Sequence, residues 1–390
     1  MPRIHRTGIV FALIFSALAG SAFSMPAFAR KYSMTCKTCH TPFPKLKAYG
    51  ETFAANGFVI KDKETPRYYI DTGDGWLSLL RDLPIALRME SYLSYNNSDS
   101  RRIDVRAPYL IKLLSGGEIT KHISYYLYFF FGERGEVAGL EDAFIMFNDL
   151  LGPDLDFYVG QFQVSDPLFK RELRLPFDDY QIYTTKVGGA RADLTYDRGI
   201  MTTLSLKSGT DLCLEVINGS GLDPADPFGN FDGDKYKNVF FRISQDVGDR
   251  FRIGGFGYTG KEKQEAAVDG LWMAGADASM DAGPFQLNIQ YVERHDDNPY
   301  FSVLRPLKIK TRGGFAELVY WPKGDDSRWY ALGLLNWVDS EQKDLEFSSG
   351  TVHYGYLIRR NLRATAEFTY IFDGPVEKHA RIGLGLITAF

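Results

Sequence analysis

The residues best equipped for chemistry are Cys36-Lys37-Thr38-Cys39-His40, a pattern found once in the 390-residue chain. Two thiols three positions apart can both add to the vinyl groups of a haem and form thioethers. The next residue then lies under the iron as its proximal ligand. The spacing therefore predicts one covalent c-type haem, anchored by Cys36 and Cys39 with His40 on the iron. No second Cys-x-x-Cys follows, which disfavours zinc. No strand–helix–strand pattern surrounds the motif, which disfavours a redox dithiol. The third cysteine, Cys213, leaves no disulfide framework and is assigned no role.

The elements that must position this motif begin upstream of it. Residues 1–29 have the form of a secretory signal: Arg3 and Arg6, an apolar run from Ile9 to Leu18 too short to span a bilayer, and Ala27-Phe28-Ala29 as a small-x-small cleavage site. The chain is thereby expected to leave the cytoplasm, where c-type haem attachment in bacteria does not take place. Downstream, Pro42 and Pro44 stiffen the exit from the motif. Lys45 to Asn56 has a helical pattern with Leu46, Tyr49 and Phe53 on one face, and Asn56-Gly57 is a stop signal. One short helix can cover one side of a haem but cannot enclose it. The segment 30–83 must therefore borrow cover from residues 84–390.

From Pro84 onward no long helical period appears. Alternation over 9–12 residues recurs between turn signals, the pattern of an all-β transmembrane barrel. The candidate strands are 84–95, 106–115, 122–132, 139–148, 154–163, 198–208, 211–218, 236–246, 250–260, 267–279, 284–295, 311–321, 327–338, 347–359, 361–372 and 379–390, about sixteen and antiparallel. Links after even-numbered strands are tight ("DLLGPD", "SGTD", "QDVGDR", "MDAGP", "RRN"). Those after odd-numbered strands are mostly longer and polar ("NNSDSRRID", "SGLDPADPFGNFDGDKY", "HDDNPYFSVLRPLKIK"). Short periplasmic turns and long outer loops give that alternation, and an even count returns both barrel ends to the periplasm. In "HARIGLGLITAF", Ile382, Leu384, Leu386, Thr388 and Phe390 share the lipid face, and a terminal Phe on that face resembles the closing strand of bacterial outer-membrane proteins.

Composition agrees. Aromatics make up 15% of the residues, as expected where rings sit at membrane interfaces, and a mean hydropathy of −0.21 excludes a bundle of membrane helices. A net charge of −4, near −6 once Arg3 and Arg6 are removed, argues against nucleic acid as a partner. A barrel of this size is expected to enclose an aqueous lumen. The long link 164–197 is expected to fold inward, with Lys170, Arg171 and Arg174 as a basic eyelet or, equally, as an ordinary outer loop. Asp223, Asp226, Asp232 and Asp234 form an acidic loop at the outer mouth that would attract divalent cations such as Fe²⁺, with a solvated loop as the plainer reading.

The distal haem ligand is open. His122 and His353 have inward parity and are the candidates. His379 is inward at the outer rim, His295 completes the set in the mature chain, Met34 lies too close to Cys36, and Met89 stays open. For each histidine the alternative is a polar lumen side chain with no metal.

Residues 26–58, "PAFARKYSMTCKTCHTPFPKLKAYGETFAANGF", resemble the fused monohaem c-type cytochrome–porins of the outer membrane, whose best-known members are iron oxidases of iron-oxidising bacteria. The likeness rests on Ala29-Arg30, Cys36-x-x-Cys39-His40, Phe43-Pro44-x-Leu46, Tyr49-Gly50 and Asn56-Gly57. "VGQFQVSDPLFKREL" is similar to a segment of phosphate-selective-type porins. The first resemblance implies electron transfer across the outer membrane, between an outside donor such as Fe(II) and a periplasmic carrier (a cytochrome c or a copper protein). The same architecture would serve an outside acceptor in reverse. A diffusion porin with the haem segment as plug or regulator, and a soluble periplasmic cytochrome, are the competing readings.

Overall fold

A computed structural model describes residues 27–42, 44–60, 69–70, 72–77, 79–80, 83–97, 103–151, 154–375 and 378–390. Phe43 and all but the last three residues of the expected signal lie outside them. Three short helices come first: α1 (Ala27–Tyr32), α2 (Cys36–Cys39) and α3 (Ala48–Ala55). A two-stranded ribbon follows, β1 (Tyr69–Ile70) with β2 (Leu79–Leu80).

The rest is a closed antiparallel barrel of sixteen strands. In chain order they are β3 (Ile85–Asn96), β4 (Ile103–Thr120), β5 (Ile123–Glu133), β6 (Gly139–Phe147), β7 (Leu155–Gln163), β8 (Tyr196–Ser205), β9 (Thr210–Ile217) and β10 (Asn238–Val247). Then come β11 (Phe251–Gln264), β12 (Ala267–Ala282), β13 (Phe285–Asp296), β14 (Ile309–Tyr320), β15 (Trp329–Ser340), β16 (Phe347–Arg359), β17 (Leu362–Asp373) and β18 (His379–Ala389). Each pairs with its chain neighbours, and β18 closes on β3 with Leu384 opposite Leu93. Closure leaves no strand edge unpaired, the condition for β-structure in lipid.

Every predicted strand has its counterpart. The largest changes are in β4, which extends beyond both predicted ends, and in β11 and β12, which lengthen until only 265–266 joins them. That outer link is therefore tight, an exception to the alternation. Another exception falls on the short-turn side, where 321–328 carries a 3₁₀ turn, Gly324–Asp326.

Side-chain parity follows the pleat. On β18 Ile382, Leu384, Leu386 and Phe390 are exposed to the outside, while Ile387 and Ala389 are buried inside. Near the short-turn end Phe285, Tyr320, Trp329 and Tyr354 form a run of outward ring contacts at centroid spacings of 4.7, 5.7 and 5.8 Å. This is one girdle of the aromatic belt expected at a membrane interface.

Part of the lumen that the strand count predicts to hold water is filled by side chains. Inward positions on β6–β15 include Phe144, Met146, Tyr158, Phe240, Phe256, Met273, Phe315, Tyr330, Leu332 and Leu334. They form one buried cluster with Leu175, Tyr180, Ile182, Tyr183 and Leu194 of the link 164–195. The physical reason is visible on β15, where Leu332 and Leu334 point inward while Leu335 and Trp337 point outward, so the strand is apolar on both faces.

Candidate functional site: the Cys-x-x-Cys-His motif in the barrel mouth

The residues Cys36 and Cys39 bound a single helical turn, closed by the His40 N–H donating to the Cys36 carbonyl at 2.9 Å. Both thiols are unbridged and half-buried, and burial pushes both up from their ordinary value. The chain then doubles back through Pro42 and Pro44. Thr41 N–H donates to the Lys45 carbonyl (3.0 Å), and His40 bridges Leu46. This return is why α3 starts at Ala48 and not at Lys45.

The His40 Nδ1 lies 2.5 Å from the Pro44 carbonyl. A carbonyl only accepts, so Nδ1 carries the proton and the lone pair is on Nε2. Burial lowers the imidazole to about 4, with Arg88 and Lys47 adding smaller repulsions and the backbone at Pro44 and Lys45 opposing them. The ring is therefore neutral across the physiological range, the form that binds metals.

Two glycines fit the segment to itself and to the wall. A Cβ on Gly50 would stand 2.4 Å from the Cys39 carbonyl oxygen, so only glycine lets α3 lie against the motif. Gly57 has φ +67°, and a Cβ there would stand 2.1 Å from Ser124 Oγ on β5. The buried face of α3 is Gly50 and Phe53, while Tyr49 is 45% exposed and does not join it as predicted. Phe53 meets Tyr32 edge-on (5.5 Å), and Phe58 stacks on Tyr126 of β5 (5.0 Å).

Ion pairs fasten the segment at the short-turn mouth. Lys37 pairs with Asp326 (3.2 Å) and Lys47 with Asp325 (2.7 Å), both on the long turn 321–328. Lys45 reaches deeper, to Glu317 on β14 (2.6 Å), which is 1% exposed. None of these partners was singled out from sequence. Charge at an inward strand position is the signal that would have found Glu317.

The link 164–195 folds inward as expected, but its basic residues form no open eyelet. Arg171 pairs with Asp179 (2.5 Å), Arg174 lies 3.8 Å from the same carboxylate, and Lys170 pairs with Asp166. Burial alone would raise Asp179; Arg174 and Arg171 overcome it and hold the carboxyl at about 2. Tyr180 stacks on Phe315 (4.0 Å) and donates to Glu317 (2.8 Å). Glu317 thus touches both the N-terminal segment and the inward link.

The structure separates the candidate distal residues. His122 lies in the turn before β5 with φ +69°, exposed, its Nδ1 on the Asn148 carbonyl (3.1 Å). Strand parity does not carry into that left-handed turn, so it does not set the direction of this side chain. His353 is inward and buried, with Nδ1 on Glu367 (2.8 Å) and Nε2 near the Tyr330 hydroxyl (3.3 Å). Met89 is 37% exposed on the outer face and does not reach the lumen. Among the described residues no group of three or more His, Cys, Asp and Glu converges as a metal site. The acidic outer loop is occupied internally: Asp226 accepts from Phe228 and Asn230, Asp232 pairs with Lys237, and Asp223 pairs with Arg191.

No family model matches the sequence, and no curated protein does. Solved structures do. The loop-L8 deletion mutant of OmpT, an outer membrane protein of Vibrio cholerae, superposes with a TM-score of 0.57 at 11% identity, over 79% of this chain and 99% of that one. The anion-selective porin from Comamonas acidovorans gives 0.57 at 10% over 79% and 99%. The channel DcaP of Acinetobacter baumannii gives 0.56 at 13% over 79% and 97%. The fold is a sixteen-stranded outer-membrane porin barrel. With its apolar, aromatic-girdled exterior facing lipid, the chain is a protein of the bacterial outer membrane.

Proposed function

We propose that this barrel carries one covalent haem on Cys36 and Cys39, with His40 on the iron, and moves electrons between an extracellular donor and periplasmic carriers. The observation that carries the reading is the motif's setting. The two thiols share one helical turn, and the His40 tautomer is set by Nδ1–H on a backbone carbonyl, the outer partner that metal-bound histidines typically have. A haem there would supply one-electron exchange, with Fe(II) as the favoured donor outside. Lys37, Lys45 and Lys47 fasten the segment at the mouth, and the buried cluster narrows the lumen beyond it.

The test is optical. Purified protein should give a pyridine haemochrome of c-type, lost in Cys36→Ser/Cys39→Ser, and its Soret and α bands should reduce on adding Fe(II). A haem that Fe(II) never reduces, at any pH where Fe(II) is stable, removes iron as the donor. It leaves the reverse conduit, reduction of an outside acceptor.

A second reading is a diffusion porin with the N-terminal segment as its plug. The likeness to porins, one of them described as anion-selective, favours it. Planar-bilayer conductance separates the two. A closed barrel supports the conduit, and a large steady conductance with the segment in place supports the porin.

A further inference from the structure

One wall of the lumen gathers several positive side chains. Arg88 on β3 and Lys112 on β4 are direct cross-strand partners, and Arg363 on β17 stands opposite Ile387 of β18, which itself pairs with Glu90. These residues and Arg174 of the inward link line a cavity of about 30 Å³. That is room for a carboxylate or two waters, since a single water needs roughly 10–15 Å³ on the same measure. Five cations line it with two carboxylates, Glu90 and Glu133, and Asp179 stands 3.8 Å from Arg174.

The internal pairing of Arg88 and Lys112 is incomplete. Arg88 takes Glu90 (2.5 Å), which also accepts from Tyr92 (2.8 Å). Arg363 donates to the Tyr330 hydroxyl (2.7 Å). Lys112 is only 7% exposed and makes no ion pair or hydrogen bond among the described residues. Its ammonium lies over the rings of Phe130 (4.1 Å) and Tyr128 (4.9 Å). The Arg88 Nε is buried and also without a hydrogen-bond partner. A buried ammonium with aromatic faces against it and no hydrogen-bond acceptor is costly unless an anion joins it; Glu141 and Glu90 act on it only through space. The site also lies toward the Cys-x-x-Cys-His motif: Arg30, just ahead of that motif, donates to the Ile85 carbonyl three residues before Arg88.

We propose that Arg88, Lys112 and Arg363 form a binding site for a carboxylate-type anion, and that in the loaded chain its occupant is a propionate of the haem tethered at Cys36 and Cys39. The second half rests on the haem reading above; the first does not. Arg88, Lys112 and Arg363 would hold that carboxylate, and their positive charge would favour the reduced iron.

The experiment uses the full chain in detergent. Lys112→Met removes the charge and keeps the volume, Lys112→Arg restores the charge, and heat-modifiable migration on gels confirms that each barrel assembles. In haem-loaded protein, Lys112→Met should lower the reduced-to-oxidised ratio at fixed potential about tenfold, a shift of ~59 mV for one electron, and Lys112→Arg should recover most of it. A change under twofold in Lys112→Met overturns the propionate assignment. In parallel, acetate and inorganic phosphate are titrated into Cys36→Ser/Cys39→Ser while thermal stability is followed. Stabilisation by either anion that Lys112→Met abolishes supports the anion site without haem. No stabilisation together with no potential shift overturns the site altogether. Absence of covalent haem in the parent chain overturns the haem reading alone, and the anion titration then decides whether the site takes a free anion.

Discussion

The N-terminal segment 27–60 and the inward link 164–195 both occupy the barrel interior, but they are fixed differently. The segment is tied at the rim by pairs that water reaches: Lys37 and Asp326 are 47% and 73% exposed. The link is tied inside, by Arg171 to Asp179, by Arg381 to Asp178 and by the Tyr180–Phe315 stack. Exposed ion pairs are worth under about 1 kcal/mol each, whereas breaking a buried pair costs roughly 3–5 kcal/mol. The link is therefore part of the barrel's core, and the segment is a fitted insert that meets that core at Glu317.

Predictions test this contrast in order of size. Glu317→Ala leaves Lys45 without its carboxylate and removes an acceptor from Tyr180, so it should destabilise by about 3–5 kcal/mol. Limited proteolysis should then cut both inserts; cleavage of only one would deny Glu317 its joining role. Acid should loosen the link from inside. The Asp179 carboxyl is held at about 2 against an ordinary 3.8, so its contribution is full above pH 3.8 and lost as pH falls through 2. That is about 2 kcal/mol, read as tyrosine fluorescence change between pH 5 and pH 2. Gly57→Ala forces a left-handed backbone on a residue with a Cβ, at about 1–2 kcal/mol. It should free the N-terminal segment to proteases while the link stays protected. Asp325→Asn should cost less than about 1 kcal/mol and remove part of the salt sensitivity of segment release, measured by protease susceptibility from low to high salt.

The barrel was legible because period-two alternation and link length are local. All sixteen strands could be placed, and the terminal Phe390 falls on the lipid face as its parity requires. The candidate site was half legible. Cys36, Cys39 and His40 announce themselves by spacing, but Glu317, Lys112 and Arg363 lie far away in sequence on three different strands. The distal candidates show why parity has limits. It holds for His353 inside a strand and fails for His122, one residue outside one, where the backbone turns left-handed. The helix prediction failed at its start for a similar reason, since Lys45 is recruited to close the loop back to Thr41.

The sequence by itself determined the strands, their faces and the order of the short and long links, because each depends on side chains within a few residues of one another. It also determined the Cys-x-x-Cys-His motif and the glycines at 50 and 57. Only the tertiary structure decided what fills the barrel. Whether inward apolar residues line water or meet one another depends on barrel closure, and on how far a link reaches across it. Gly50 and Gly57 acquire their meaning in the same way: the space that a Cβ would take is already held by Cys39 and by Ser124.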